Sequence, residues 1–442
     1  MKIPLSDHFT YKKLLRFTLP SIVMMVFTSI YGVVDGIFVS NCVGTDAFAA
    51  LNFIMPVCMI PGAIGFMLGT GGSALVARLM GEGKQDKANR VFSMLIYVLI
   101  MLGALISTVA IVFLEPIAQL MGAEGQMLAD CVTYGRVLLL GTVPFVLQNA
   151  FQSFLVVAAK PQFGLVVTVI AGVTNMVLDA LLVWLIPLGL TGAAAATAIS
   201  QLVGCTIPLI YFLHPKDSYL QLTRWHFDGR SLLKACMNGS SEMMTNLSLS
   251  TVNILYNVQL MSLAKENGVS AYGAIMYVNF IFISIFIGYS IGSAPLISFH
   301  YGAQNDAELH NLRKKSRNLI AVGAMGMSAL SFMLATPLAS IFSGGNIALF
   351  EMTAHAFRIY SLSYLFAGFN IFGSAFFTAL NNGGVSALIS FLRSLVCQTI
   401  AVTTLPLIFG LDGVWWSINV AEGVAVVVTL SMVLALRKRY RY

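Results

Sequence analysis

Of the 442 residues only 10% are charged and 58% are hydrophobic, with a mean hydropathy of +0.84 and a formal charge of +7. A soluble chain carries about a quarter charged residues, so this composition excludes a water-soluble multidomain protein and describes an integral membrane protein. Six scattered cysteines without a CxxC pair, and six histidines without HExxH, give no sign of a zinc site, a redox pair or a metalloenzyme.

A bilayer core needs about 20 apolar residues per helix. Twelve such runs follow one another: 14–40, 48–75, 91–114, 133–157, 162–186, 191–213, 232–262, 271–299, 318–342, 355–380, 384–409 and 413–436. Strand-like alternation is missing, so the expected fold class is an all-α membrane protein rather than a barrel. No cleavage pattern ends the first run, which is expected to act as its own insertion signal. Of the 25 Lys and Arg residues, 21 fall in the N-terminal segment, the loops between runs 2–3, 4–5, 6–7 and 8–9, and the C-terminal tail. The positive-inside rule therefore expects both termini in the cytoplasm. Basic loops beside anionic membrane lipid account for the net charge, and nucleic acid is not expected as a partner.

The chain repeats itself. "GFMLG" at 65–69 answers "GYSIG" at 288–292, "MGEGKQDKAN" at 80–89 answers "YGAQNDAELH" at 301–310, Arg136 answers Arg358, and "GLTGA" at 189–193 answers "GLDGV" at 410–414. The offsets stay between 221 and 223. The expected organisation is an N-lobe over 1–213 (helices 1–6), a linker over 214–231 and a C-lobe over 232–442 (helices 7–12). Six helices per repeat make the repeats parallel, related by a pseudo-two-fold axis along the membrane normal. Duplications of this kind are common in secondary transporters, with the site near the repeat interface. Duplication without transport, in a scaffold or a membrane enzyme, is the alternative.

Ionised side chains inside hydrocarbon cost a few kcal/mol at the lowest estimates, about 3. Four acids nevertheless fall within the runs: Asp35, Asp179, Glu242 and Glu422. Run 5 places Asn175 one turn before Asp179, and helix depth brings Asp35, Asn175, Asp179 and Thr197 to one level of the N-lobe. Two neighbouring carboxylates in low dielectric cannot both ionise cheaply, so the set either holds Na⁺ or shares a proton. A fixed hydrogen-bonded knot is the other reading. The repeat carries Asp179 to Ile400 or Ala401, so the pair is not duplicated. Arg393 and Glu422 lie at compatible depths and are expected to form a C-lobe charge pair, with Glu242 a rival partner. Pro20 in run 1 permits a kink.

These residues bear a family resemblance. "LPSIVMMVFTSIYGVVDGIFVSNCVG" in run 1 and "NMVLDALLVWLIPLGLTGAAAATAISQ" at 175–201 resemble the opening and the helix 5–6 region of MATE (multidrug and toxic compound extrusion) transporters. The texture is nearest the bacterial MepA-like and DinF-like branches. The resemblance implies a multi-pass inner-membrane antiporter that exports small organic, often cationic, compounds against Na⁺ or H⁺. It needs no other cofactor. On it, Asp35, Asn175, Asp179 and Thr197 bind the cation, Tyr31 lies one turn before the helix 1 acid, and Pro20 is the helix 1 kink. Thr28 and Tyr31 share the Asp35 face and join the expected substrate path. Gln148, Gln152 and Gln201 either add hydrogen bonds along that path or tie helices together. Helix 10 lacks the acid that some members carry in the C-lobe. A monomer is expected. A flippase for a lipid-linked precursor and a polytopic membrane enzyme remain alternatives.

Overall fold

The structure, a computed structural model, describes residues 3–43, 45–214, 219–343, 346–440 and 442, those at 33, 35–42, 45–49 and 52 by backbone alone. Among the described residues there is no strand. The helices are α1 (Tyr11–Cys42), α2 (Thr45–Gly81), α3 (Gln85–Leu120), α4 (Gly125–Leu140), α5 (Thr142–Val157), α6 (Pro161–Asp179), α7 (Gly189–Leu213), α8 (Gly229–Gly302), α9 (Asp306–Phe342), α10 (Ile347–Ser361), α11 (Tyr364–Ala379), α12 (Gly383–Phe391) and α13 (Gln398–Tyr440). Two π-helical turns, Ala180–Leu185 and Leu392–Cys397, follow α6 and α12.

Two of these helices are hairpins. A straight α8 of 74 residues would run about 110 Å, more than three times the hydrocarbon thickness. It turns back at Lys265, whose φ of 52° and ψ of −145° are not helical. The Tyr256 and Tyr272 rings then stack at 4.9 Å, and the Tyr272 hydroxyl donates to Asn253 Oδ1 at 2.7 Å. In an unbroken helix residues 253 and 272 would lie about 28 Å apart. α13 breaks in the same way at Gly410 (φ 58°, ψ −134°). α4 with α5, and α10 with α11, are single spans bent by 56° and 49°. Counted this way the chain makes twelve spans in two six-helix lobes, α1–α7 and α8–α13.

The backbone repeats more faithfully than the side chains. Positive φ recurs at Gly83 and Gln304, at Ala159 and Asn381, and at Gly189 and Gly410, each pair 221 or 222 positions apart. The bends at Gly141 and Ser363 are 222 apart as well. The matched "GLTGA" and "GLDGV" stretches now have a physical reason. Their first glycine takes a left-handed conformation that a Cβ disfavours. Their second packs against a carbonyl: a Cβ at Gly192 would sit 2.7 Å from Leu182 O, and one at Gly413 would overlap Leu405 O.

Three apolar clusters hold the spans. One spans both lobes toward the face that carries the termini and most basic loops, and includes Phe92, Phe154, Phe212, Leu296 and Phe376. On the other side each lobe has a cluster of its own, around Ile54, Tyr134 and Ala194 in the N-lobe and around Tyr256, Phe357 and Trp415 in the C-lobe. The lobes are therefore joined at the basic face and separately packed away from it.

Replacing Gly413 by Ala should lower stability in detergent by about 2 kcal/mol, because a backbone carbonyl cannot yield as a side chain can. Gly423, with open space around its Cβ position, is the control, and Gly423→Ala should leave the unfolding midpoint unchanged or raised.

Candidate functional site between the lobes

Close backbone approach builds the floor of the site. Side chains at Gly71 on α2 and Gly239 on α8 would overlap the facing backbone, and a Cβ at Gly288 on the returning arm of α8 would lie 2.6 Å from Ile22 Cα on α1. Small residues at such crossings let helices meet backbone to backbone in a membrane. A polar clamp lies beside this seam. Glu308, in the first turn of α9, accepts hydrogen bonds from Phe9 N at 2.9 Å and Asn311 Nδ2 at 2.8 Å, and its Oε2 lies 2.6 Å from His8 Nδ1. Asn311 and Lys315 donate to Phe9 O. The strap before α1 is thus tied to the C-lobe.

A third tie sits at the end of α2. Arg78 lies over the Tyr301 ring, 5.3 Å from its centroid, and pairs with Glu82 at 2.9 Å, while Lys84 pairs with the same carboxylate at 2.8 Å. Burial opposes ionisation of Glu82, but the hydrogen bonds and charges of Lys84 and Arg78 outweigh it and hold its carboxyl below the ordinary value. A lowered folded pKa stabilises above the unfolded value, and that contribution is lost as pH falls through the folded one. Glu82→Gln should therefore flatten the acid limb of a melting-temperature profile, by about 0.5 kcal/mol at neutral pH.

Above the seam lies a cavity of about 340 Å³. Met25, Ser29, Phe66 and Thr70 face it from α1 and α2, and most of the remaining wall belongs to the C-lobe. Its charged lining residues are Glu242, Arg393 and Glu422. Arg393 Nε lies 2.8 and 3.0 Å from the two Glu422 oxygens. Glu422 Oε2 also accepts from Asn370 Nδ2 at 2.7 Å, and Asn370 Oδ1 accepts from Thr429 at 2.8 Å. Glu422 is 2% exposed, so this network neutralises a charge with little access to water. Arg393 stands in the π-helical turn, a local widening found often at functional positions. Glu242 lines the same cavity as Arg393. Among the described residues its carboxyl makes no hydrogen bond, so the lining has one more carboxyl, that of Glu242, than it has cations. The stacked Tyr256 and Tyr272, with Tyr360 beside them, supply aromatic faces on the same wall.

In the N-lobe, Asn175 and Asp179 are each 1% exposed, and Asn175 Nδ2 approaches Thr197 Oγ1 at 3.5 Å. Asp179 is the last residue of α6, where the other π-helical turn begins. The side chain of Asp35 lies outside the described residues. Thr28 donates to Met24 O at 2.9 Å, and Tyr31 packs with Phe27 against Gly172 of α6. Gln148, Gln152 and Gln201 are buried between N-lobe helices, Gln148 against Gly204 and Gln201 against Gly141. None of the expected substrate-path residues lines the cavity described above. α1 continues through Pro20 as one helical element.

The aromatic and polar C-lobe wall was missed from the sequence, because runs 7 and 8 were read as separate helices with no facing register. The signal was present: Tyr256 and Tyr272 lie nearly symmetrically about the reversal near Lys265. Breaking the buried pair tests its role. Glu422→Gln should cost about 3 kcal/mol by leaving Arg393 without its closest partner. The double variant Arg393→Met/Glu422→Gln should recover more than half of that loss in the unfolding midpoint.

The comparisons agree with this architecture. The MatE family model matches residues 20–181 and again 243–403, one match per lobe, with the offset seen in the repeat. The multidrug export protein MepA of Staphylococcus saprophyticus is 24% identical over 436 residues, covering 97% of this chain and 94% of that protein. The MepA of Staphylococcus aureus is 23% identical over 431 residues, with the same coverage. Among solved structures, a multidrug resistance MATE family transporter of the MOP superfamily in an outward-facing conformation superposes with a TM-score of 0.92 at 24% identity, covering 98% of each chain. A MOP superfamily transporter from Pyrococcus furiosus, described as having a binding pocket of reverse polarity that suggests a different function, superposes at 0.92 with 23% identity, covering 99% of this chain and 98% of that one. The chain belongs to the MatE family, a family of multi-pass membrane transporters rather than enzymes.

Proposed function

We propose that this protein exports organic cations across the cytoplasmic membrane in exchange for Na⁺ or H⁺, by alternating exposure of the cavity, with both termini in the cytoplasm. The observation that carries this reading is the charge of the cavity. Arg393 is cancelled by Glu422, and Glu242 is left to face an apolar and aromatic space. An ammonium or amidinium group gains there both from the carboxylate and from the tyrosine faces. The seam and the clamp close the basic face, which corresponds to an outward-facing state.

The coupling ion is assigned to the N-lobe set of Asp35, Asn175, Asp179 and Thr197. Their oxygens suit Na⁺ or a shared proton. A cation bound there and a cation bound at the cavity repel each other, and linkage makes that coupling reciprocal: each lowers the affinity for the other by the same factor. The flippase alternative needs an unneutralised positive wall for a phosphate headgroup, whereas the cation of this cavity is held by Glu422.

Transport by the purified protein in liposomes, with Na⁺ and pH gradients imposed separately, tests the reading. One of the two gradients should drive accumulation of a lipophilic cation, and Asp179→Asn should abolish it while leaving equilibrium binding of that cation measurable. Glu242→Gln should weaken binding about 10-fold, the loss of one partly buried charge contact. Accumulation by Asp179→Asn at the wild-type rate would remove the N-lobe set from coupling. Unchanged affinity in Glu242→Gln would remove the cavity from recognition.

A further inference from the structure

The segment between α7 and α8 follows a track laid on α3. Gln85, Asn89, Ser93 and Tyr97 recur every four residues and so share one helical face. Each binds the linker backbone in turn. Gln85 Nε2 donates to Tyr219 O, Asn89 Oδ1 accepts from Gln221 N at 3.2 Å, Ser93 Oγ accepts from Thr223 N at 2.7 Å, and Tyr97 Oη donates to Thr223 O at 3.3 Å. The track delivers Trp225 against Tyr97, ring centroids 5.8 Å apart, and Phe227 stacks on Trp225 at 6.2 Å. Both rings stay open to the surroundings, Trp225 at 49% and Phe227 at 59% exposure. Tyr97 lies only six residues beyond Val91, where the apolar run of α3 begins, so the two rings stand where headgroups meet acyl chains. Exposed aromatic rings at that depth are the usual membrane-interface anchor.

Beside the rings two adjoining surface hollows, of about 550 and 340 Å³, share Asp86, Arg90 and His226. Lys87 lines the first and Arg224 the second. Among the described residues, Lys87, Arg90 and Arg224 make no hydrogen bond and no ion pair. The nearby acids leave them so. Asp228 spends its carboxylate capping α8 through Arg230 N, Ser231 N and Ser231 Oγ, and Glu82 is taken by Arg78 and Lys84. Among the described residues, Asp86 and the already engaged Asp228, which also acts on Lys87, are the acids of the two hollows.

We propose that this linker site binds the phosphate of an anionic glycerophospholipid from the leaflet at the basic face. Arg90, Arg224 and Lys87 meet the phosphate, and Trp225 with Phe227 lies against the glycerol and the first methylenes. Guanidinium groups match phosphate oxygens in a fork geometry. The site occupies the covalent connection between the lobes, so a bound lipid fixes the linker to α3 of the N-lobe.

The experiment uses the full chain in phosphatidylcholine vesicles doped with brominated phosphatidylglycerol or, at equal mole fraction, brominated phosphatidylcholine. Bromine quenches tryptophan on contact, and subtracting the signal of Trp225→Phe isolates Trp225 from the other three tryptophans. Brominated phosphatidylglycerol should quench Trp225 about threefold more than brominated phosphatidylcholine, as expected for local enrichment of an anionic lipid. Arg90→Gln/Arg224→Gln should erase the preference. Arg224→Gln alone should reduce it, and keeps the test open if the double variant folds poorly. Equal quenching by the two lipids overturns the proposal. So does an equal loss of preference in the control Arg437→Gln/Lys438→Gln, which would show diffuse surface charge rather than a site. Suppression of the preference by millimolar glycerol phosphate at constant ionic strength would assign the site to a soluble phosphate and overturn the lipid assignment.

Discussion

Backbone-to-backbone contact between α2 and α8, with α1 against the returning arm of α8, is the constraint on which the rest of the architecture depends. It joins the lobes through glycines at the basic face, where one apolar cluster runs through both. Away from that face each lobe must bury its apolar side chains in a cluster of its own, and it does so around Tyr134 in one and Trp415 in the other. Two bodies fused at one end and separately packed at the other enclose a space between them. The cavity follows from where the helices touch closely and where they do not.

Charge inside hydrocarbon has been settled in two ways. In the C-lobe, Arg393 and Glu422 neutralise each other across the hairpin of the last two spans, and Asn370 and Thr429 complete the network. That network is a fixed device: any change to one partner leaves the other costly. The N-lobe differs. Asp179 stands among amide and hydroxyl groups, with Asn175 and Thr197 near it. Glu242 lies between these cases, lining the cavity with Arg393 but outside the Arg393–Glu422 network.

Much of this was legible in the residues. Composition placed the chain in a membrane, and the constant offset near 222 implied two parallel lobes. The pairs Gly189 with Gly410 and Gly83 with Gln304 show why the offset survives: the backbone takes positive φ there in both repeats. Matched depth along adjacent helices also put Arg393 beside Glu422. The bend at Ser363 is not legible, since neither a proline nor a break in hydrophobicity marks it, whereas the bend at Gly141 has a signal in Pro144, in the first turn of α5. Nor was the facing of the cavity. Depth along a helix can be read from a sequence, but rotation about its axis between two neighbours cannot. Hence Gln148, Gln152 and Gln201, at suitable depths, turn into the N-lobe, while Tyr256 and Tyr272 face the cavity. The polar period of Gln85, Asn89, Ser93 and Tyr97 is visible in the sequence, yet its partner is mostly the backbone of an irregular segment, which carries little side-chain signal.

Most of the inter-lobe ties among the described residues gather on one face: the glycine seam, the Glu308 clamp on the strap before α1, and Arg78 over Tyr301, with Ser29 donating to Phe280 O farther along α1. Their net worth is modest, since each hydrogen bond contributes about 1 kcal/mol after its competition with water. Opening the basic face breaks them together and must be offset by contacts formed elsewhere. A ligand shifts such an equilibrium only through its differential affinity for the two states, and a reversal from 1:99 to 99:1 takes about 5.5 kcal/mol. One charge contact at Glu242 falls short of that. Aromatic faces closing around an occupant add to it. The two lobes therefore share one backbone plan but not one chemistry: the C-lobe holds the Arg393–Glu422 pair and the stacked tyrosines, the N-lobe the buried Asn175, Asp179 and Thr197.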